Sequence, residues 1–400
     1  MLMEGLAKFP PRPTGAGEMF QLLRNGAPRT RASLVAETGQ SRSTVAARID
    51  ALRSVGLLAP AGEATSTGGR PPSTFAFDPA ARIVLGVDLG ATHARIAVTD
   101  LAGEPITHVD EPLAIAEGPD RVLTWVAETG NKLVIQAGRR MDELAGVGIG
   151  LPGPVDHGTG QPVNPPIMPG WGGADVPAML HARLGVPVMV DNDVNIMALG
   201  EHRTMAPDVD DLLFVKVATG IGAGLIMDGQ LRRGAQGAAG DLGHVTVPGA
   251  GEIPCRCGNT GCLEAVAGGG AIAARLREGG ATVASTYEIV DLVRSGDVAA
   301  GQAVRQAGRD IGTVLAASVS LLNPARIVVG GILAGAGEHL LAGIREVVYQ
   351  RSLPLATQHL RITPSEAGPQ AGVVGAATLV IEQYLAPSSI DTLIAAKEGS

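Results

Sequence analysis

The hydrophobic pattern of the chain changes near residue 82. Before that point the sequence contains three short helical patterns; after it, apolar strands that end in glycine turns alternate with helices. Such alternation is typical of an α/β fold. Two strand–turn–strand segments, 83–98 and 211–228, begin the two halves of this region and indicate a duplicated body with a cleft between its lobes. We therefore expect a small domain over 1–80, an α/β domain over 81–386 and a frayed tail over 387–400.

Composition restricts the class of protein. Apolar residues make up 45% of the 400-residue chain but aromatic residues only 2%, so the core must consist of Leu, Val, Ile and Ala. No apolar run reaches the roughly 18–20 residues that span a bilayer, and the N-terminus lacks the apolar region of a signal peptide. We expect a cytoplasmic protein without a membrane partner.

The N-terminal segment is basic although the chain as a whole is acidic. Residues 1–80 carry nine Lys/Arg and six Asp/Glu, a net charge of +3, whereas residues 81–400 carry 22 and 33, a net charge of −11. Helical patterns cover 18–25, 31–38 and 42–54, and apolar segments at 57–58 and 74–77 could pair as a wing. This layout predicts a winged helix-turn-helix domain that binds double-stranded DNA.

The third helix is the candidate reading helix. Val45, Ile49 and Leu52 form one apolar stripe, which leaves a polar opposite face. Short polar and Arg side chains on such a face reach base edges in the major groove, and an Arg on a flexible wing tip could enter the minor groove. The candidate DNA-binding residues are Arg42, Ser43, Thr44, Arg48 and Arg70. The alternative is a small helical packing domain with a solvated arginine face.

All three cysteines lie within eight residues and follow a histidine. His244, Cys255, Cys257 and Cys262 supply three thiolates and one imidazole, a ligand set that suits tetrahedral Zn²⁺. The segment between them is rich in turn residues, so it can wrap a small ion. A closed four-ligand zinc site is structural. The alternative is three free thiols beside an unrelated histidine.

Two glycine-rich segments lie between strands and are candidate phosphate loops. They are 88–92 (DLGAT) and 218–224 (ATGIGAG). Small residues let backbone amides approach phosphate oxygens, and a strand-end Asp can hold Mg²⁺ through water. Neither segment is a P-loop, because both lack the GK[ST] motif. Taken alone, a segment of this kind is more often a plain hairpin turn.

Acidic residues occur where a buried strand enters a helix, at 191–193 (DND). A carboxylate there can accept the proton of a substrate hydroxyl during phosphoryl transfer. The alternative is a helix cap, because Asp and Asn are favoured at helix N-termini for capping and dipole reasons.

Taken together, these motifs resemble those of the ROK family of repressors and sugar kinases. The H…CxC…C motif, the DxGxT loop, the NDxN segment (192–195) and the TGxGxG loop carry the resemblance, which covers essentially the whole chain and includes the N-terminal domain of the regulator branch. The resemblance implies an actin-like (ribonuclease H-like), two-lobed ATPase fold. Lobe one would comprise 82–190 plus 372–386, and lobe two 191–371.

The resemblance also assigns roles to residues. It makes Asp193 the general base of a kinase and a sugar contact, and it makes Asn192, Asp241, His244 and Glu264 further sugar contacts. It places Asp88, Gly90, Thr92, Thr219, Gly220 and Gly222 around nucleotide phosphates, and Gly330 and Gly331 beside the adenosine. ATP and Mg²⁺ would bind only if kinase activity is retained. In the loop 164–172, Trp171 could stack on the sugar or simply pack.

Two positions depart from the kinase pattern. Ala91 stands where the kinases have a second glycine, and its methyl group would meet the phosphate. Asp241 stands where the family usually has Glu, so a hydroxyl contact would need a water molecule. Both departures weaken the kinase interpretation more than the sugar-binding one.

These features favour a sugar-responsive transcriptional repressor. A homodimer or homotetramer would place two reading helices on an inverted repeat, and a sugar or sugar phosphate in the cleft would release the DNA. The alternative is an ATP-dependent, glucokinase-like hexose kinase with Asp193 as base and a vestigial N-terminal domain. A third possibility is a sugar-binding scaffold for which 1–80 is dispensable.

Overall fold

The computed structural model describes residues 15–63, 72–165, 167–205 and 209–399. These residues form two compact units. The first contains the described residues up to Ile83, together with Asp100–Glu104 and the chain from Val380 onward. The second contains Val84–Thr99 and Pro105–Leu379.

The first unit begins with three helices and a small antiparallel sheet. The Thr30 hydroxyl accepts from the backbone N–H of Ser33 and caps the second helix, and the Ser41 hydroxyl caps the third. The last two helices match their predicted bounds, whereas the first begins and ends earlier than predicted and the sheet gains an unpredicted strand. The elements are α1 (Ala16–Gln21), β1 (Arg29–Thr30), α2 (Arg31–Thr38), α3 (Arg42–Ser54), β2 (Leu58–Glu63) and β3 (Ser73–Phe77), with sheet order β1-β3-β2.

The predicted C-terminal tail is a helix, so that prediction was wrong. Helix α14 (Pro387–Glu398) buries Ile390 and Ile394, which are spaced as one helical stripe. The Asp391 carboxylate accepts a hydrogen bond of 2.8 Å from the backbone N–H of Gly17 in α1. Arg24 donates two hydrogen bonds to the Glu382 carboxylate, at 2.9 and 2.5 Å. Residues 380–386, expected in lobe one, therefore belong with α14 to the first unit.

The second unit contains two five-stranded sheets, in agreement with the expected duplicated α/β body. Each sheet includes one of the two strand–turn–strand segments. The first sheet has the order β10-β7-β4-β5-β6 and the second β13-β12-β11-β14-β15. The strands of the first are β4 (Ile83–Leu89), β5 (His93–Asp100), β6 (Pro105–Pro112), β7 (Leu144–Leu151) and β10 (Val188–Asn192). Those of the second are β11 (Leu212–Val217), β12 (Ile221–Met227), β13 (Gln230–Arg232), β14 (Arg326–Gly330) and β15 (Arg361–Pro364).

The strand pairings show how each sheet is built. Strands β5 and β6 are antiparallel, and β7 and β10 are parallel. In the second sheet β11 pairs antiparallel with β12 and parallel with β14. A separate two-stranded hairpin consists of β8 (Val155–Asp156) and β9 (Gln161–Pro162).

Helices cover the sheets, and their buried side chains are mainly Leu, Val, Ile and Ala, as the composition requires. Two of them approach closely, because a Cβ atom at Gly375 of α13 would lie 1.6 Å from the Ile196 carbonyl oxygen of α6. The helices are α4 (Pro119–Gln136), α5 (Val176–Leu184), α6 (Asp193–Thr204), α7 (Leu263–Ala267), α8 (Gly269–Glu278), α9 (Thr286–Arg294), α10 (Val298–Leu322), α11 (Glu338–Arg351), α12 (Pro354–Thr357) and α13 (Ala371–Tyr384).

Within the described ranges, no single helix has the length and apolar character needed to cross a membrane. One bent pair, 368–384 with 387–398, meets those two criteria together, with an angle of 61° between its members.

Candidate functional site

The acidic segment 191–193 lies where β10 enters α6. Asn192 is the N-cap of α6: its Oδ1 accepts from the Val194 N–H at 2.9 Å, and its Nδ2 donates to the Gly153 carbonyl at 2.9 Å. Its side chain therefore has the capping role that was the alternative to phosphoryl-transfer chemistry for this segment. Asp193, at the first helical position, is almost fully buried.

Asp193 forms an ion pair with Lys216, a residue that no sequence motif singled out. Lys216 Nζ in β11 donates to Asp193 Oδ2 at 2.5 Å. Burial opposes the charge of Lys216, but the Asp193 carboxylate raises the pKa of that ammonium above its usual value. Lys216 is the only charged residue of β11 (LLFVKV), and a single Lys in an apolar strand was the available signal.

Asp88 at the end of β4 contributes a second buried carboxyl group. Burial raises the pKa of Asp88; the Lys216 ammonium acts against that rise and the Asp193 carboxylate adds to it. The helix α13 begins directly beside it, because a Cβ atom at Gly372 would lie 2.2 Å from Asp88 Oδ2. Asp88 is therefore a second buried carboxyl group in the electrostatic neighbourhood of the Lys216–Asp193 ion pair.

Asp191, the first acid of the predicted segment, forms an ion pair of its own. Its Oδ1 accepts from Asn195 Nδ2 at 2.7 Å, and its Oδ2 accepts from Arg233 Nε at 2.7 Å. Arg233 follows β13 in the segment that leads to Asp241. The ion pair thus ties that segment to the end of β10.

The two glycine-rich loops are each filled by a side chain. A Cβ atom at Gly90 would lie 2.1 Å from the His93 ring, and one at Gly220 would lie 2.3 Å from Glu264 Oε2. The Glu264 carboxylate also accepts from the Ile221 N–H at 3.3 Å. Thr92 and Thr219 are exposed.

The remaining predicted loop glycines have packing roles. A Cβ atom would lie 3.0 Å from the Val194 side chain at Gly222 and 2.4 Å from the Phe214 ring at Gly330. Gly331 has φ +84°, and its Cβ would lie 2.6 Å from the Val217 carbonyl oxygen. Only glycine fits there without strain.

The histidine and three cysteines come together as a candidate metal centre. One donor atom from each of His244, Cys255, Cys257 and Cys262 lies within 4.8 Å of all the others. The Cys257 and Cys262 sulfurs are 3.7 Å apart, close to the edge of about 3.8 Å that Zn–S bonds of about 2.3 Å give in a tetrahedron. Burial raises the pKa of the Cys262 thiol to about 12, and a metal ion would displace that proton. The cluster can hold a metal ion.

Two other predicted sugar contacts have contrasting surroundings. Asp241 is exposed and immediately precedes the short turn that contains His244. Trp171 is fully buried and donates its indole N–H to the Ile115 carbonyl at 2.9 Å. Trp171 therefore packs and does not stack on a ligand.

Helix α3 presents part of its predicted polar face. Arg42 and Ser43 are exposed, whereas Thr44 and Arg48 are half-buried. The Ser41 hydroxyl is 2.8 Å from those of both Ser43 and Thr44, so both side chains take part in the N-terminal cap. Arg70 lies outside the described residues.

Comparison with known proteins shows which family the chain belongs to. The model of the family described as ROK matches residues 84–383. The chain belongs to the ROK family. This ROK protein is 29% identical to the xylose repressor of Caldicellulosiruptor bescii over 86% of its own length and 90% of the repressor. It is 31% identical to the glucokinase of Halalkalibacterium halodurans over 76% of its own length and 96% of the kinase.

A solved structure matches nearly all of this ROK protein. It is that of a ROK family transcriptional regulator, described as a homolog of the Escherichia coli MLC protein, and the two agree with a TM-score of 0.80 at 26% identity. The match covers 95% of this chain and 98% of the regulator. The two-sheet α/β body is thus the actin-like fold of this family, as expected.

Proposed function

We propose that this ROK protein is a sugar-responsive DNA-binding repressor. The coverage of the comparisons carries the proposal: almost an entire glucokinase matches only 76% of the chain, whereas a ROK regulator matches 95% of it. The additional part of the chain that the regulator match covers is large enough to include the N-terminal helices, which carry the exposed Arg42. Helix α3 would enter the major groove, with Arg42, Ser43, Thr44 and Arg48 toward the bases and Arg70 toward the minor groove.

The proposal also includes an effector site, a structural metal ion and a dimer. The effector is a sugar bound near Asp193, Asp241 and Glu264, and the cluster of His244 with the three cysteines holds a structural Zn²⁺ that fixes the neighbouring turn. A homodimer would place two α3 helices one helical turn apart on an inverted repeat. Release requires only that the sugar bind the two states of the protein with different affinity.

The decisive experiment is a DNA selection with the full-length protein. A random duplex pool is enriched at 0.15 M salt, roughly the physiological value, with and without a panel of free sugars and sugar phosphates. Salt must be fixed because phosphate contacts make affinity steeply dependent on it. We expect an enriched inverted repeat that one sugar releases. The absence of any enriched sequence under all conditions would contradict the proposal.

Two substitutions then test the reading helix. Arg42→Ala should weaken binding to the enriched repeat by about tenfold or more, because a lost base contact costs about 1–3 kcal/mol. Arg121→Ala is the matched control, since it removes an exposed Arg from α4 in the other unit. Equal binding by wild type and Arg42→Ala would exclude α3 as the reading helix.

A sugar kinase is the second candidate, and its support is the 31% identity to a glucokinase with Asp193 at the start of α6. A coupled ATP assay over the same sugars tests it. The proposal of a repressor predicts no turnover above background, and sustained turnover that Asp193→Asn abolishes would establish the kinase.

A further inference from the structure

A lysine is bound to the carboxylate that the family resemblance makes the general base of a kinase. Lys216 projects from β11 with its side chain 21% exposed, and its ammonium donates to Asp193 Oδ2 at 2.5 Å. The Asp193 side chain is 6% exposed. This is therefore a buried, charge-assisted hydrogen bond and not a loose surface pair.

The lysine also acts on the second buried carboxyl group. Among the charges that affect Asp88, the Lys216 ammonium is the largest that favours the ionised form, and the Asp193 carboxylate opposes it. Asp88 and Asp193 are both shielded from solvent. Buried charges persist in proteins only when they are paired, so Lys216 is the partner that the buried Asp193 carboxylate requires.

In phosphoryl transfer, a divalent metal ion and not an ammonium group neutralises such carboxylates. There a divalent ion bridges carboxylate and phosphate oxygens and neutralises the charge that develops. It needs oxygen ligands, and here an oxygen of Asp193 is already bound by the chain's own ammonium. The residues present therefore do not fit a metal–nucleotide complex at this place.

We propose that Lys216 is a built-in counter-ion that binds the Asp193 carboxylate in place of a divalent cation, so that the site binds its ligand without Mg²⁺ and without phosphoryl transfer. The proposal extends the sugar site of the proposed repressor. Asp193 keeps lone pairs that can accept a hydrogen bond from a sugar hydroxyl, while its Oδ2 remains bound to the Lys216 ammonium. The charge-compensated pair suits a neutral hydroxyl better than a phosphate, which would add negative charge beside two carboxyl groups.

The test measures Mn²⁺ binding to the full-length, zinc-loaded protein by electron paramagnetic resonance. Lys216→Met keeps the length of the side chain but removes its charge. We expect this variant to bind one more Mn²⁺ per chain than wild type, and Lys216→Arg to bind the same number as wild type. Combining Lys216→Met with Asp193→Asn should abolish the additional Mn²⁺. Lys132→Met, on the exposed face of α4, is the matched control.

Thermal unfolding gives a second readout. Without Mn²⁺, Lys216→Met should unfold roughly 5 °C or more below wild type, because the buried Asp193 carboxylate loses its partner, and Mn²⁺ should restore much of that loss. Equal Mn²⁺ binding by Lys216→Met and wild type would overturn the proposal. So would a Mn²⁺ ion on wild type that Asp193→Asn removes, and this outcome needs no Lys216 variant to fold. Neither measurement involves DNA, so failure here is distinct from failure of the proposed repressor function.

Discussion

The two strand–turn–strand segments of the second unit look alike in sequence but are occupied differently. In the first, β4–β5, the turn is filled by the His93 ring against Gly90. In the second, β11–β12, the Glu264 carboxylate fills the turn against Gly220 and accepts from the Ile221 N–H. A phosphate needs free amides and an open loop. In each loop a side chain from within the chain lies against a glycine, so a glycine pattern shows close approach but does not identify what approaches.

Different elements of the second unit pack against the two segments. The second segment is braced by the cysteine turn, because a Cβ atom at Gly243 would lie 2.2 Å from the Ile221 carbonyl oxygen and Glu264 follows Cys262 by two residues. The first segment is braced by α13 through Gly86 and Gly372. We therefore expect that the contacts of one segment can be disrupted without a change in the other.

Removal of the metal should have the largest effect and should act on one segment only. Cys257→Ser, or chelation of the proposed Zn²⁺, is expected to lower the midpoint of thermal unfolding by about 10 °C or more, because structural zinc contributes directly to folding free energy. Deuterium uptake measured by mass spectrometry should rise in peptides covering 218–227 and stay unchanged over 84–99. Arg256→Ala, an exposed position between two ligands, is the control that should retain the metal. Equal increases in both segments would show that the braces are not separate.

Close helix contacts give the next largest effect. A Cβ atom at Gly86 would lie 2.1 Å from the Val373 carbonyl oxygen of α13, whereas one at Gly224 would lie 2.5 Å from the Ala198 methyl group of α6. Neither contact can be relieved by rotating a side chain, because the Ala198 methyl group moves only with its backbone and the Val194 carbonyl oxygen would lie 2.9 Å away. The shorter contact at Gly86 sets the order, so Gly86→Ala should cost about 3 kcal/mol of unfolding free energy and Gly224→Ala about 2 kcal/mol. Urea denaturation measures both. Gly172→Ala, where a Cβ meets nothing within 4 Å, should change little. A reversed order would contradict this account of how the helices pack.

Structural features that depend on neighbouring residues could be predicted from the sequence, whereas features formed by residues far apart in the chain could not. Periodicity and caps located α2 and α3, and the spacing of the cysteines predicted a cluster that the structure brings within 4.8 Å. Local signals failed for α14, because its stripe of Ile390 and Ile394 is short and its partner, α1, is more than 360 residues away in sequence. They failed also for Lys216, since the pairing of β11 with Asp193 depends on two elements that meet only in three dimensions.

The pH dependence of stability gives the smallest effect and reports on the first segment alone. Burial lowers the pKa of His93, with Arg95 and Lys216 acting in the same direction and Asp88 and Asp110 against it. The unfolded chain, in which this imidazole has a pKa of about 6.5, therefore binds the proton more readily than the folded one. As pH falls through that value, the unfolded state gains protons and the free energy of unfolding decreases, until the pH lies below the folded pKa.

His93→Gln should remove this component, so that the variant loses less stability than wild type between pH 7 and pH 5, roughly the range where histidine titrates. Urea unfolding at each pH measures it, and His157→Gln, an exposed histidine, should follow wild type. The raised pKa of Asp88 acts in the opposite sense, because the folded state holds that proton more tightly and stability falls as pH rises through the folded pKa. The charged imidazole of His93 lowers the pKa of Asp88, so His93→Gln raises that pKa further and acts in the same direction as the loss of the imidazole. The difference between wild type and His93→Gln therefore reports on the His93–Asp88 pair. An unchanged slope would mean that the His93 imidazole is not buried beside Gly90.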